Sequence, residues 1–161
     1  LGDVYKRQLM MAADIPVFAG VGGGLTSGNR VVNLALFAEM QGAAGVVVNA
    51  PTSNDIISKL NAQIDIPVIV TVVNESVDFK ERVKSGATIF NVSAAKNTAS
   101  IVRDIRREFP EFPIIATGGP TDESILETIE AGANPITWTP PTSGDVFKGI
   151  MEAYRENKPH P

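Results

Sequence analysis

Residues 113–120, PIIATGGP, are followed by a helix that Thr121 caps, then by Ala131-Gly132-Ala133 and residues 135–141, PITWTPP. The passage reads as a buried parallel strand, a glycine turn, a helix and the next strand. Two glycines directly after a buried strand put backbone N–H groups at the carboxyl edge of a sheet, where small anionic ligands bind.

The same unit recurs. Asp14-Ile15-Pro16-Val17, Asp65-Ile66-Pro67-Val68 and Glu111-Phe112-Pro113-Ile114 each open a strand with an acid two residues before a proline. A proline at the start of a strand removes no central ladder donor. Between them lie Gly42-Ala43, Gly86-Ala87 and Gly132-Ala133, each at the end of an amphipathic stretch. A glycine there takes the left-handed conformation that stops a helix, and an apolar strand follows. The prolines are spaced by 51 and then 46 residues and the glycines by 44 and then 46. That period, with the order strand–helix–strand–helix, predicts parallel βα units.

In residues 98–109, Ile101, Ile105 and Phe109 fall four apart, with Arg103, Arg106, Arg107 and Glu108 available for the solvent side. Thr121 precedes Asp122 and Glu123, an N-cap with acids in the first turn, and Ile125 and Ile129 form the expected buried stripe. The strand segments are near-continuous apolar runs, as in strands buried on both faces. Six strands are expected, near 15–20, 46–49, 68–73, 88–92, 114–117 and 136–139. The fold class is α/β. Strict alternation favours a parallel (β/α)8 TIM barrel truncated to six βα units, strands 3–8; the alternative is an open doubly wound sheet. A full barrel takes about 250 residues, with about 200 as a lower bound, so the 161 present leave one double unit out at the front.

Residues 1–8, LGDVYKRQ, are the translation of CTC-GGA-GAT-GTG-TAT-AAG-AGA-CAG, a transposon-type sequencing-library adaptor, and are expected to be non-native. The barrel domain then covers residues 9–156, its natural sequence beginning near Leu9 inside the tail of a helix, and 157–161 form a disordered tail. A three-quarter barrel exposes two unpaired strand edges, so association into a homo-oligomer and reduced stability are expected.

With 43% hydrophobic and 20% charged residues the composition is that of a globular domain. Removing Asp3, Lys6 and Arg7 with the adaptor takes the net charge from −4 to −5. An acidic chain with scattered Lys and Arg argues against a nucleic-acid partner. The absence of cysteine excludes disulfide and thiol chemistry. No run of about 18 apolar residues is present, so no membrane span is expected, and the reading is of a cytoplasmic protein.

In a parallel barrel the working groups sit at the carboxyl ends of strands and in the loops after them. Those positions hold Gly22, Gly23 and Gly24, then Asn49, Thr71, Glu75, Asn91, Ser93, Lys96, Thr117, Gly118, Gly119, Thr137, Thr139, Ser143 and Gly144. Glu75 and Lys96 are the only ionisable members. Gly118 and Gly119 are an anion site or a tight turn. Gly22 and Gly23, with Ser27, Asn29 and Arg30 beyond them, are a second anion nest or a flexible lid. Asn49 and Asn91 point into the barrel mouth or cap the next loop. Phe90 and Trp138 read as packing residues, Asp78/Arg82 and Asp104/Arg107/Glu108 as helix surface pairs. His160 reads as solvated, and no metal-ligand cluster is present.

With these residues in place, the span 66–142, and more loosely 15–154, resembles the phosphate-binding (β/α)8 barrels. These include class I aldolases of keto-deoxy sugar acids, sugar-phosphate epimerases and flavin-dependent nitronate-oxidising enzymes. Residues 86–133, GATIFNV through AGA, are similar in order to the 2-keto-3-deoxy-6-phosphogluconate aldolase family. The resemblance places phosphate at Thr117-Gly118-Gly119 and at the helix start Ser143-Gly144, where Asp145 opposes it. It also shows a departure: Asn91 stands where that family carries its Schiff-base lysine, and Lys96 lies five residues on. The whole chain also resembles an uncharacterised bacterial barrel family sometimes labelled hydrolase, although no hydrolytic constellation is visible. The resemblance implies a lyase, aldolase or isomerase acting on a small anionic metabolite without a cofactor. In such an enzyme Gly118, Gly119 and the Ser143 turn would hold the anion, Asn49, Thr71 and Asn91 would orient it, and Glu75 or Lys96 would move a proton. The alternatives are a flavin mononucleotide (FMN) oxidoreductase and a non-catalytic ligand-binding barrel.

Overall fold

Six short strands, all parallel, pair in the order in which the chain makes them in a computed structural model that describes residues 2–22, 25–138 and 142–156. The strands are β1 (Phe18–Gly22), β2 (Gly45–Val48), β3 (Val68–Val72), β4 (Ile89–Val92), β5 (Ile114–Thr117) and β6 (Ile136–Thr137). Helix α1 (Gly2–Ala12) precedes them, and α2 (Asn29–Met40), α3 (Asn54–Gln63), α4 (Phe79–Lys84), α5 (Thr98–Glu108) and α6 (Asp122–Glu130) fill the crossovers. Helix α7 (Ser143–Arg155) follows β6. Gly23 and the tail 157–161 lie outside the described residues.

A doubly wound sheet requires a point where strand order reverses, and here no such point exists among the described strands. Parallel crossovers are right-handed, so an unreversed order keeps the crossover helices α2 to α6 on one face. Helix α2 packs on β1, β2 and α3; α5 packs on β4, β5 and α6; α6 packs on β5 and β6. The result is a curled half-barrel sheet with helices outside and a concave face within.

The left-handed glycines set this geometry. Gly42, Gly86 and Gly132 have φ of 86°, 110° and 106°. At each, the following alanine donates its N–H back five residues, Ala43 to Ala38, Ala87 to Arg82 and Ala133 to Thr128, at 3.0 to 3.3 Å. This is the helix-closing bond of a Schellman stop. The next N–H then goes to the preceding strand, from Ala44 to the Val17 carbonyl, Thr88 to Val68 and Asn134 to Ile114, at 2.9 to 3.0 Å. Each acceptor is the residue after one of the three repeated prolines. The proline carbonyls accept in turn from the strand before them, Val46 to Pro67 at 2.9 Å and Phe90 to Pro113 at 3.1 Å.

Register sorts the side chains into two faces. Ala19 pairs with Val46, Val46 with Val68, Val70 with Phe90, and Phe90 with Ile114, and all six are buried against the helices. Phe90 is fully buried and meets Phe79 and Phe112 edge-on or tilted at 5.6 and 4.7 Å, a packing role as expected. Alternate residues face the concave side, where only the central strand, through Ile69, is fully covered. The expectation of strands buried on both faces therefore holds at β3 and gives way to alternation in β1, β4 and β5.

Four further expectations need correction. Strand β1 begins at Phe18, not at Ile15, which is 74% exposed. Trp138 is also exposed, beyond the end of the two-residue β6. In α6 the buried residue is Thr128, whose hydroxyl donates to the Ser124 carbonyl, while Ile129 faces outward. Arg106 is not a solvent-side charge. Its guanidinium donates to the carbonyls of Gly132, Pro110 and Phe112 at 2.6 to 2.9 Å and to the Asn134 side chain at 3.1 Å. It thereby ties the end of α5 and the segment before β5 to the turn before β6.

Replacing Gly42 by alanine meets no neighbour within 4 Å, so it isolates the cost of a left-handed non-glycine residue, about 1 kcal/mol. At Gly86 the added Cβ would lie 2.5 Å from Asn61. Denaturant unfolding is expected to show Gly86→Ala losing at least twice as much stability as Gly42→Ala; equal losses would refute the packing assignment. For Arg106→Met the expected loss is about 1–2 kcal/mol, from the part-buried Phe112 and Gly132 carbonyls left without their donor. Arg107→Met, at an exposed i,i+3 pair with Asp104, should stay within about 0.5 kcal/mol.

Candidate functional site

The concave face changes character along the strands. Val47, Ile69 and Ile89 form one cross-strand row and are apolar. One step toward the carboxyl end, Thr71 pairs with Asn91, and Asn91 with Ile115. The Asn91 Nδ2 donates to the Thr71 hydroxyl at 3.4 Å. Thr117 pairs with Thr137, their hydroxyls 3.2 Å apart. An amide and three hydroxyls thus line the half-open end of an otherwise apolar trough. Asn91 and Thr71 are brought together; Thr137 joins Thr117.

Lys96 is not part of that row. It sits in a 3-10 turn (Ala95–Asn97) before α5, exposed, and lines a cavity of about 350 Å³ that Thr117 of the row shares but Asn91 does not line, with Gly118, Gly119, Thr121 and Ser124. The glycine pair has its own structural reasons. A Cβ on Gly118 would lie 2.7 Å from both Ile125 and Ile136, so glycine lets α6 approach the sheet. Gly119 has φ of 82° and would meet the Ser124 hydroxyl at 2.5 Å.

The start of α6 is also already served. Thr121 accepts from the Ser124 N–H, and Ser124 accepts from the Thr121 N–H, closing a capping box. Asp122 and Glu123 stand in the first turn, and the Glu123 carboxyl is held below its ordinary pKa by its own backbone N–H and then by the Thr121 hydroxyl. With two carboxylates beside it, this start does not fit a flavin phosphate, because the helix end already holds anions of its own.

The remaining candidates are dispersed. Asn49 is exposed; its backbone N–H donates to the Gly22 carbonyl at 2.9 Å and opens the turn to α3. Gly22 is a packing position, since a Cβ there would meet Val31 at 2.6 Å. Glu75 is exposed in the loop after β3, outside the first turn of α4, which Asp78 caps by accepting from the Glu81 N–H. Ser143 and Gly144 open α7, are exposed and take no part in the described lining of the Gly118–Gly119 cavity.

Asp78 and Arg82 are not an ion pair. Arg82 reaches instead across to the β2–α3 loop and donates to the Thr52 and Ala50 carbonyls and to the Asn54 side chain. Burial lowers its pKa, but a guanidinium stays charged, and among the described residues it forms no ion pair.

The loop that Arg82 holds carries residues not singled out from sequence. Thr52 is 6% exposed and its Oγ1 has no hydrogen-bond partner. With Ser53 it faces Thr26, Ser27 and Gly28 across a cleft of about 160 Å³. A signal was present: Thr-Ser recurs at 26–27, 52–53 and 142–143, each time at or just before the start of a helix.

Among the described residues no group of three His, Asp or Glu side chains is placed to hold a metal ion, and no helix is long and apolar enough to cross a membrane.

No protein-family model matches the sequence, and no curated protein matches it. Solved structures do match in fold. One is 2,3-dimethylmalate lyase, a member of the PEP mutase/isocitrate lyase superfamily, at 14% identity and a TM-score of 0.71 over 95% of this chain and 64% of that one. Another is phosphonopyruvate hydrolase, at 14% and 0.68 over 95% and 65%. A third is dihydrodipicolinate synthase from Aquifex aeolicus, at 20% and 0.66 over 98% and 60%. These are TIM barrels, and the chain spans less than two thirds of their length. The likeness is one of fold: a six-stranded portion of a TIM barrel.

Proposed function

We propose that the chain is the larger part of a (β/α)8-barrel enzyme of lyase, aldolase or isomerase type acting on a small phosphorylated or carboxylated metabolite. The observation that carries this reading is the polar row Thr71–Asn91 with Thr117–Thr137 at the carboxyl end of an apolar trough. Two of the structural neighbours are named for small acids, 2,3-dimethylmalate and phosphonopyruvate, which is in keeping with it.

The chemistry depends on donor type. Breaking a bond next to a carbonyl, or moving a proton there, builds negative charge on the carbonyl oxygen. A fixed amide donor aimed at that oxygen stabilises it, and losing one such donor costs about 100-fold to 1,000-fold in turnover. The Asn91 Nδ2 is that donor, released from a long contact with Thr71. Threonine hydroxyls donate or accept as required and orient the rest of the substrate. Lys96 and Glu75, on loops at the same edge, are the ionisable groups available to move a proton. Lys96 lines a cavity that Asn91 and Thr71 do not line, so the reaction is assigned no Schiff base.

The test is turnover of a panel of 2-oxo and 2-hydroxy acids, free and phosphorylated. Asn91→Ala should lower kcat about 100-fold with a smaller change in KM, and borohydride added with an oxo acid should leave the protein unlabelled. A trapped adduct on Lys96 would replace this mechanism with an iminium one. Binding of the acids without turnover would identify a ligand-binding barrel.

A further inference from the structure

We infer that Gly20 is a specificity-determining residue of the trough: it keeps open the space for a bulky apolar substituent, so the acid bound here is a 2-oxo acid with an aromatic or branched side chain. The inference rests on the reading above, in which Asn91 holds the carbonyl of a small acid, and names the class of that acid.

The fold itself gives Gly20 no reason to be glycine. Three glycines lie in the described strands, Gly20 and Gly22 in β1 and Gly45 in β2. A Cβ on Gly22 would meet Val31 at 2.6 Å, and one on Gly45 would meet the Phe18 ring at 3.0 Å. A Cβ on Gly20 would meet nothing within 4 Å among the described residues, and its φ lies outside the left-handed region. Glycine inside a strand is a less stable choice than alanine unless the backbone or a close neighbour requires it. The other use of a strand glycine is to let a ligand or another backbone come close.

Register shows what would come close. Ala19 and Val21 are buried against the helices, so Gly20 looks into the trough, where it is exposed and pairs with Val47. The cross-strand row runs Gly20, Val47, Ile69, Ile89. None of its three branched side chains belongs to the core packed beneath the helices. An apolar row in the trough therefore ends where side chains stop. The register of β1 shifts just beyond, between Gly20 and Gly22, a bulge of the kind that often borders a binding site.

Distance sets the size of the substituent. The polar pair Thr71 and Asn91 lies one step toward the carboxyl end of this row. Strands β1 and β4 are three spacings apart, each about 4.8 Å, which puts Gly20 roughly 14 Å from Asn91 along the sheet. An acid held by its carbonyl at Asn91 reaches the Gly20 space only with a substituent several carbons long. With valine and isoleucine along the way, that substituent is apolar.

The test measures binding of phenylpyruvate, 4-methyl-2-oxopentanoate and pyruvate to the 161-residue chain by ligand-observed NMR, with unfolding midpoints taken in acid-free buffer. The unaltered chain should bind the two bulky acids at least tenfold more tightly than pyruvate. Gly20→Ala should keep or raise the midpoint and weaken both bulky acids at least fivefold, with pyruvate changed less than twofold. Gly20→Val should weaken the bulky acids at least fiftyfold. A lowered midpoint of Gly20→Ala overturns the assignment, because the glycine would then serve the fold. So do equal losses for all three acids, no loss for any, or an unaltered chain that binds none of them or prefers pyruvate. A size preference that Gly20→Val abolishes, without turnover of any acid, would remove the lyase reading and leave this role; turnover indifferent to Gly20→Val would do the reverse.

Discussion

A left-handed residue at the end of each of three helices is the constraint on which the rest of this molecule depends. Only glycine adopts such a φ at little cost. Once Gly42, Gly86 and Gly132 do so, the next N–H closes the helix and the one after it is delivered to the residue following a proline in the preceding strand. Helix stop, strand start and sheet register are therefore one event, made three times. Two strands of each double unit are locked together before any long-range packing is considered, and the pairing order of the sheet follows the chain.

That order has a chemical consequence. With no reversal, the helices occupy one face and the sheet curls around the other, so alternate residues of every strand point into one trough. Register then decides which of them meet. Thr71 and Asn91 are 20 residues apart and fall in adjacent register positions; so do Thr117 and Thr137. The polar end of the trough is a product of strand alignment, and the alignment is a product of the glycine stops. Arginine supplies the second kind of restraint. Arg106 and Arg82 each donate to backbone carbonyls 26 to 32 residues away, holding turns from elsewhere in the repeat.

How far sequence alone reached depends on how local each cause is. The glycine stops, the α5 stripe of Ile101 and Ile105 and the Thr121 cap depend on a few neighbouring residues, and each was legible. The parallel six-strand order was legible because those local signals repeat at a fixed period. Arg106 was read as a surface charge because its acceptors lie on another turn of the repeat. Asp78 and Arg82 were read as a pair because four residues apart is the usual helical contact, yet a cap and a distant loop claimed them separately. Asn91 could be placed at a strand end, but its contact with Thr71 needed the register. The glycines at 118 and 119 suggested an anion; the structure shows close helix approach and a positive φ there. The unpaired Thr52 hydroxyl was invisible because burial is tertiary, although the recurring Thr-Ser pair marked its loop.

The three strand-pinning amides offer the most direct test of this account. Ala44, Thr88 and Asn134 all lie outside the strands, and Thr88 and Asn134 are exposed, so loop position alone would let their N–H groups exchange quickly. Native-state hydrogen exchange followed by NMR measures each amide separately. If the glycine stops set the register, all three should fall in the slow class with the core amides of β2 and β4. Exchange at the rate of the neighbouring loop amides would contradict the claim that these bonds hold the sheet in order.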